Sequence, residues 1–372
     1  MSVKLHQVID LIEELAAPHL AAEWDNVGLQ LGDINQTIEK LLVALDLNYD
    51  VLEEAIAADI DLIVTHHPFI FKGISNINFA TPQGKIIKKA IKEDISIYVA
   101  HTNYDIASNG LNDLLAKQVG VSNLQPLKVT ASENLKKIAV FVPETAIAEV
   151  REALADAGAG HIGDYSHCTF QQSGIGTFKP LEGTNPYLGT KGEVNQVKEY
   201  KLETIVLESQ LNKTIDKMIK AHPYEEVAYD IYPLAKEGPT VGLGRIGHLK
   251  ESISLGEYAQ LVKEELDLEQ IKVVGTLNSK VKKVALCSGS GADLIQTAIS
   301  KGADLLVTGD IKYHQAQMAE EANLNLIDGG HYGTEKIMKE GLAEYFKEEV
   351  AANNMEVKVI ESNINTNPFQ VI

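Results

Sequence analysis

The chain has 372 residues, 45% of them hydrophobic and 23% charged, which is too long for one ordinary core and too evenly mixed for disorder, collagen or a coiled coil. Lys and Arg number 33 against 52 Asp and Glu; the resulting −19 repels phosphate and argues against nucleic acid or an anionic membrane as a general partner. The two cysteines, Cys168 and Cys287, lie far apart, so neither a disulfide scaffold nor a thiolate zinc site is expected, in keeping with a reducing, cytoplasmic setting.

Met1 leads straight into an amphipathic helix carrying Val8, Ile9, Ile12 and Leu15 and stopping before Pro18, with no signal peptide in the pattern. No apolar run approaches the ~20 residues of a membrane span. Trp24-Asp25-Asn26-Val27-Gly28 follows; Trp24, the only tryptophan, is expected to pack, with a cleft-lining role as the alternative. Strands are then predicted over Lys40–Leu45, Asp61–Thr65 and Ile95–Val99, and helices over Asp50–Ala58, Thr81–Glu93 and Leu111–Val119. Unbroken apolar strands alternating with helices predict a parallel sheet covered on both faces.

The next segment changes character. Strands over Lys136–Val142, Cys168–Gln172, Ile175–Phe178, Glu199–Leu207 and Val227–Tyr232, with helices over Ala146–Ala157 and Leu211–Ala221, predict a ferredoxin-like β-α-β-β-α-β plan. Glu182–Glu193, rich in Gly, Pro and Asn, enlarges its hairpin, and His222-Pro223-Tyr224-Glu225-Glu226 reads as a structural turn, with a metal or small-ligand role as the lesser option. Beyond Gly238-Pro239 the opening plan returns. Ala303-Asp304-Leu305-Leu306-Val307-Thr308 echoes Ile60-Asp61-Leu62-Ile63-Val64-Thr65, and His331-x-x-x-Glu335 follows a strand as His101-x-x-x-Asp105 does. The expected fold is therefore α/β: two pseudo-repeated half-domains around one cleft, residues 1–130 and 238–372, with an α+β insert over 131–237.

His66 and His67 immediately follow a buried strand, at the carboxyl end where open parallel sheets place ligands. Asp105, with His101 before it, and His331 with Glu335 lie past two further strands. Thr334 is expected to cap a helix over Glu335–Phe346. Mixed imidazole and carboxylate donors suit Zn, Fe, Mn or Co rather than calcium or magnesium. They exceed what a single catalytic zinc uses, so a carboxylate shared by two ions ~3.5–4 Å apart is expected; unrelated loop residues are the alternative. Asp310 is expected to cap the helix carrying Tyr313 and His314, with Asp310 and His314 as acid/base or substrate contacts on the competing view. Gly242-x-Gly244-x-x-Gly247 lacks the strand, helix and acidic residue of a dinucleotide site and is set aside.

Trp24-Asp25-Asn26-Val27-Gly28-Leu29, Thr65-His66-His67-Pro68, His101-Thr102-Asn103-Tyr104-Asp105, Thr308-Gly309-Asp310-Ile311-Lys312-Tyr313-His314 and Gly330-His331-Tyr332-Gly333-Thr334-Glu335 together resemble the GTP cyclohydrolase I type 2 family, also called the NGG-one-interacting-factor-three-like family. The segment around His222 is similar to the PII- or CutA-type insert of its longer bacterial members. The resemblance implies a dinuclear centre, with two divalent transition-metal ions (Zn, Fe, Mn or Co) on His66, His67, Asp105, His331 and Glu335. His101 would be a further ligand or a base. It also implies a homohexamer built as a trimer of dimers. The activities it raises are metal-dependent hydrolysis of a small molecule, GTP or another nucleotide or phosphoester, and, as the non-enzymatic alternative, a metal-holding regulator that binds a protein partner.

Overall fold

Apolar runs too long for a one-sided strand have to be covered on both faces, and that requirement organises the fold. The structure is a computed structural model and describes residues 2–371. Its first elements are α1 (Leu5–Leu15), β1 (Gly28–Leu31), β2 (Lys40–Ala44), α2 (Tyr49–Ala57), β3 (Leu62–Thr65), α3 (Pro82–Lys92), β4 (Ser96–Val99), α4 (Thr102–Ile106), α5 (Leu111–Gln118) and β5 (Ser122–Pro143). There follow α6 (Ile147–Asp156), β6 (Thr169–Phe178), β7 (Asn195–Leu207), α7 (Leu211–Ala221) and β8 (Tyr229–Ser254). The remainder is α8 (Leu255–Glu265), β9 (Lys272–Val274), β10 (Lys280–Ser290), α9 (Ile295–Ser300), β11 (Leu305–Gly309), α10 (Tyr313–Glu321), β12 (Asn325–Asp328), α11 (His331–Glu335), α12 (Met338–Ala352) and β13 (Lys358–Glu361). Two compact units result: residues 1–130 with 241–372, and residues 131–240.

In the first unit, one sheet runs β1-β4-β3-β2-β13 and the other contains the order β8-β10-β11-β12-β9. Strands β2, β3, β4 and β13 are parallel, as are β10, β11 and β12. The wholly parallel sheet expected from sequence is corrected at the edges, where β1 lies antiparallel to β4, β9 to β12, and β8 to β10. Strands β1 and β9 are short and half-exposed, and β8, though buried around Val241–Gly247, is broken by glycines and Arg245, so none carries an unbroken apolar run for hydrophobic patterning to find.

Alternation along each central strand feeds two cores. Leu41, Val43, Leu62 and Val64 pack with α1 and α12, while Leu42, Ala44 and Ile63 pack with α2 and α3. In the second sheet Val284, Leu286, Leu305 and Val307 pack with α5 and α8, and Ala285, Cys287 and Leu306 pack with α9 and α10. Each fully buried Val, Leu or Ile side chain among them is worth roughly 1.5–3 kcal/mol. Repeated polar contacts go with the repeated letters. Asp61 accepts the Glu39 and Lys40 amides at 2.7 and 2.8 Å, and Asp304 accepts the Lys282 and Lys283 amides at 2.9 and 2.8 Å. Each aspartate thereby fixes the start of the preceding strand against its own.

Within residues 131–240 the strand order is β6-β7-β5-β8, with α6 and α7 packed through Val150, Leu154 and Met218 onto Ile138, Val140 and Leu202. The two short strands expected over Cys168–Gln172 and Ile175–Phe178 are a single strand, β6, paired without a break from Thr169 to Phe178 against β7. Ser173 and Gly174 weaken the sequence signal there but keep their places in the ladder. His222 is a satisfied turn residue: its Nε2–H donates to the Phe141 carbonyl at 3.0 Å and its Nδ1 accepts the Tyr224 amide at 3.1 Å. Among the described residues no helix is long and apolar enough to cross a membrane.

Candidate metal centre

The carboxyl ends of the parallel strands in the first unit converge. After β2 comes Asp46, after β3 His66 and His67, and after β4 His101 and, on α4, Asp105. After β11 comes Asp310, and after β12 come His331 and Glu335, which begin and end α11. The expected helix over Glu335–Phe346 is interrupted: α11 closes at Glu335 and α12 starts at Met338. Thr334 caps nothing. Its hydroxyl contacts the Gly330 and His331 carbonyls at 3.0 and 3.1 Å and accepts the Gly289 amide at 2.9 Å, which ties α11 to the end of β10.

One ring nitrogen of each histidine is committed outward. His66 Nδ1–H donates to the Ala100 carbonyl at 2.9 Å, His67 Nδ1–H to Asp46 at 2.7 Å, His101 Nδ1–H to Asp25 at 2.9 Å and His331 Nδ1–H to Asp310 at 2.7 Å. A carbonyl or carboxylate can only accept, so each Nδ1 carries the proton and each neutral ring leaves a lone pair on Nε2. The Nε2 atoms of His67 and His331 face each other at 3.2 Å, and both meet Glu335 Oε2, at 3.1 and 3.2 Å. The other oxygen, Glu335 Oε1, lies 3.8 Å from His66 Nε2, which is 3.7 Å from Asp105 Oδ1. Glu335 therefore offers one oxygen to each of two donor groups.

The donor set passes a test of fit to metal. His66 is fully buried, and neither its Nε2 nor Glu335 Oε2 has a hydrogen-bond partner. A buried orphan of this kind is costly unless a cation satisfies it. Two lone pairs at 3.2 Å need a proton or a metal between them, and nitrogens ~2.0–2.1 Å from one tetrahedral ion would stand about 3.3 Å apart. The ligand atoms of His66, His67 and His101 form one compact group, and those of His67, His331 and Glu335 another. Outward Nδ1–H bonds to carboxylate or carbonyl are the usual support of metal-bound imidazole.

Without a metal ion, the surrounding carboxylates draw protons onto these rings in its place. Burial disfavours charge on His67, but Asp46 and Glu335 outweigh it and hold the ring up to about 10. Glu335 raises His331 to about 9 against the opposing effect of burial. Burial also works against ionised Glu335, yet the three imidazoles around it keep its carboxyl well below the usual range. Asp105 is pushed up, chiefly by burial, while the Ser288 hydroxyl donates to it at 3.2 Å.

Other expectations change. Asp310 caps no helix; α10 begins at Tyr313 after Lys312, and Asp310 adopts φ +57° with its carboxylate on His331. His314 is exposed with its ring bonded to Gln317 at 3.0 Å, and it shares none of the contacts of the imidazole cluster. Trp24 is not packed away: it is 62% exposed, its ring edge-on to His101. Asp25, Asp46, Ser288 and Gly289 were not singled out in the sequence. Asp46 had a signal, being an acid directly after a buried strand, and Asp25 lies inside the tryptophan motif; Ser288 and Gly289 had none.

The family model described as Duf34/NIF3 (NGG1p interacting factor 3) matches residues 3–368. The chain belongs to the DUF34/NIF3 family. A Halalkalibacterium halodurans relative called GTP cyclohydrolase 1 type 2 homolog is 48% identical over 365 residues, 98% of each chain. A Bacillus subtilis relative of the same name is 45% identical, over 99% of this chain and 98% of its own. Among solved structures, a Bacillus cereus protein related to NIF3 superposes with a TM-score of 0.90 at 46% identity, over the whole of both chains. The family membership, the mixed α/β architecture with two sheets and a His/Glu cluster able to hold a metal thus stand together.

Proposed function

We propose that this DUF34/NIF3 protein is a dinuclear metal-dependent hydrolase acting on a nucleotide, a reading that the names of its relatives also favour. The observation that carries it is the set of Nε2 lone pairs, each fixed by an outward Nδ1–H bond, converging on the two oxygens of Glu335. His67 and His331 would hold one ion on Glu335 Oε2, and His66 with Asp105 the other on Oε1. Such ions supply Lewis acidity toward a carbonyl or phosphoryl oxygen and make water easier to ionise.

The chain's own residues do the rest. Asp25 fixes the His101 ring through Nδ1–H and leaves Nε2 to take or return a proton beside the cluster. Ser288 steadies Asp105, and Asp46, itself bonded by Thr366, steadies His67. The order β6-β7-β5-β8 supports a ferredoxin-like reading of residues 131–240. A homohexamer remains the proposed assembly.

Purified without chelators, the protein is expected to carry close to two transition-metal equivalents per chain. A nucleotide and phosphoester panel with Zn, Mn, Fe or Co restored should show turnover, GTP being the named candidate, and Glu335→Gln should abolish it with the fold intact. Less than half an equivalent of metal would sink the dinuclear reading. Full metal with no turnover on any panel member would leave a metal-holding scaffold in place of an enzyme.

A further inference from the structure

An indole with more than half its surface in water needs a reason, and Trp24, 62% exposed, is the only one in the chain. Its ring centroid lies 6.1 Å from His101 and 5.9 Å from Phe71, which is 47% exposed. His101 in turn lies 5.0 Å from His66 and 5.6 Å from His67. Trp24 therefore borders the imidazole cluster, with Phe71 beside it.

Both are held by their neighbours. Asp25, adjacent to Trp24, accepts the Thr102 amide at 3.0 Å as well as His101 Nδ1–H at 2.9 Å, and the Ala22 amide donates to the Thr102 hydroxyl at 2.9 Å. On the Phe71 side, Gln30 accepts the Ile70 amide at 2.7 Å, and Asn26 donates to the Ile70 carbonyl. The segment carrying Trp24 and the segment carrying Phe71 are thus bonded to each other and to the His101 loop. A pair ordered before a ligand arrives loses little freedom on binding.

Imidazoles and carboxylates can hold oxygens, phosphates and metals, but they do not select a flat ring. Exposed aromatic faces do, because every heteroaromatic base has a π-face to stack. We propose that Trp24, with Phe71, is a stacking platform that determines specificity by taking the planar heteroaromatic ring of a substrate whose polar, reacting part meets the His/carboxylate cluster. The proposal rests on the reading of that cluster as the reaction centre.

The sole tryptophan makes the test direct. Metal-loaded protein is titrated with GTP, ATP, UTP and inorganic tripolyphosphate, following tryptophan emission and, separately, affinity by calorimetry. At least one nucleotide should quench emission saturably, while tripolyphosphate should not. Trp24→Ala should weaken that nucleotide about 5- to 150-fold and leave tripolyphosphate affinity and metal content unchanged, and Trp24→Phe should restore most of the loss. The platform is overturned if no nucleotide binds more tightly than tripolyphosphate, or if Trp24→Ala binds nucleotide as the parent does. Emission that responds to protein dilution and not to nucleotide would also overturn it, in favour of a contact between copies. Failure of the metal reading appears separately, in elemental analysis, and the binding comparison needs no turnover.

Discussion

His67 and His331 point lone pairs at each other across 3.2 Å, so without metal a proton has to sit there. Their pKa values, about 10 and about 9 against an ordinary 6.5, record how strongly the surrounding carboxylates hold it. A raised imidazole pKa stabilises the fold fully below about 6.5 and ceases to do so as pH climbs through the folded value. The metal-stripped protein should therefore melt at falling temperature from about pH 7 to pH 10, a decline that metal should flatten; melting curves with and without chelator check this. Metal uptake at neutral pH should also release protons, visible as a buffer-dependent heat in calorimetry. The outer carboxylates carry a further prediction. Asp46→Asn and Asp310→Asn preserve shape but weaken the Nδ1–H acceptor, and each should lower metal affinity about 10- to 100-fold in chelator competition.

At the scale of elements, the turns between strands and helices bring the donors close. Gly289, next to last in β10, has φ +59°, and a Cβ there would collide with Glu335 Oε1. Gly289→Ala should thus lose metal and stability together, by more than the ~1 kcal/mol of a strained backbone alone; circular dichroism and metal content would register both. Arg245, on β8, is almost fully buried and joins the two halves of the first unit. It forms a two-pronged pair with Asp113 at 2.9 and 2.7 Å and donates to the Gly242, Gly244 and Ala107 carbonyls. Arg245→Ala should cost about 3–5 kcal/mol in denaturant unfolding, because Asp113 and those carbonyls would lose a buried donor. Wild-type stability in that variant would show that water replaces the guanidinium without penalty.

For the whole molecule, every residue of the candidate centre lies in residues 1–130 or 241–372. At the chain crossings the Thr130 hydroxyl donates to the Val241 carbonyl, so a short linker can close the gap. Replacing residues 131–240 with a Gly/Ser linker should leave a cooperatively unfolding, metal-binding protein, judged by melting and elemental analysis. Loss of both would show that the first unit depends on the second to fold.

Local physics made much of this readable in one dimension. Lys40–Ala44, Leu62–Thr65 and Leu305–Gly309 are buried on both faces, and their unbroken apolar runs mark them as central strands without any knowledge of partners. The echo of Ile60–Thr65 in Ala303–Thr308 marks the repeated plan, and the position of His66, His67 and His331 just past strands marks the edge where these side chains meet. Other features depend on what meets what in space. The short flanking strands β1 and β9 have no periodicity of their own, and their direction is set by the strand they join. Asp310 carries the letters of a helix cap, yet its backbone turns it onto His331, 21 positions away. Above all, the facing of His67 and His331, which are 264 positions apart, is written in neither local stretch. Sequence fixes which side chains stand at a strand's end, but a distance between two such ends is a property of how the sheets pack.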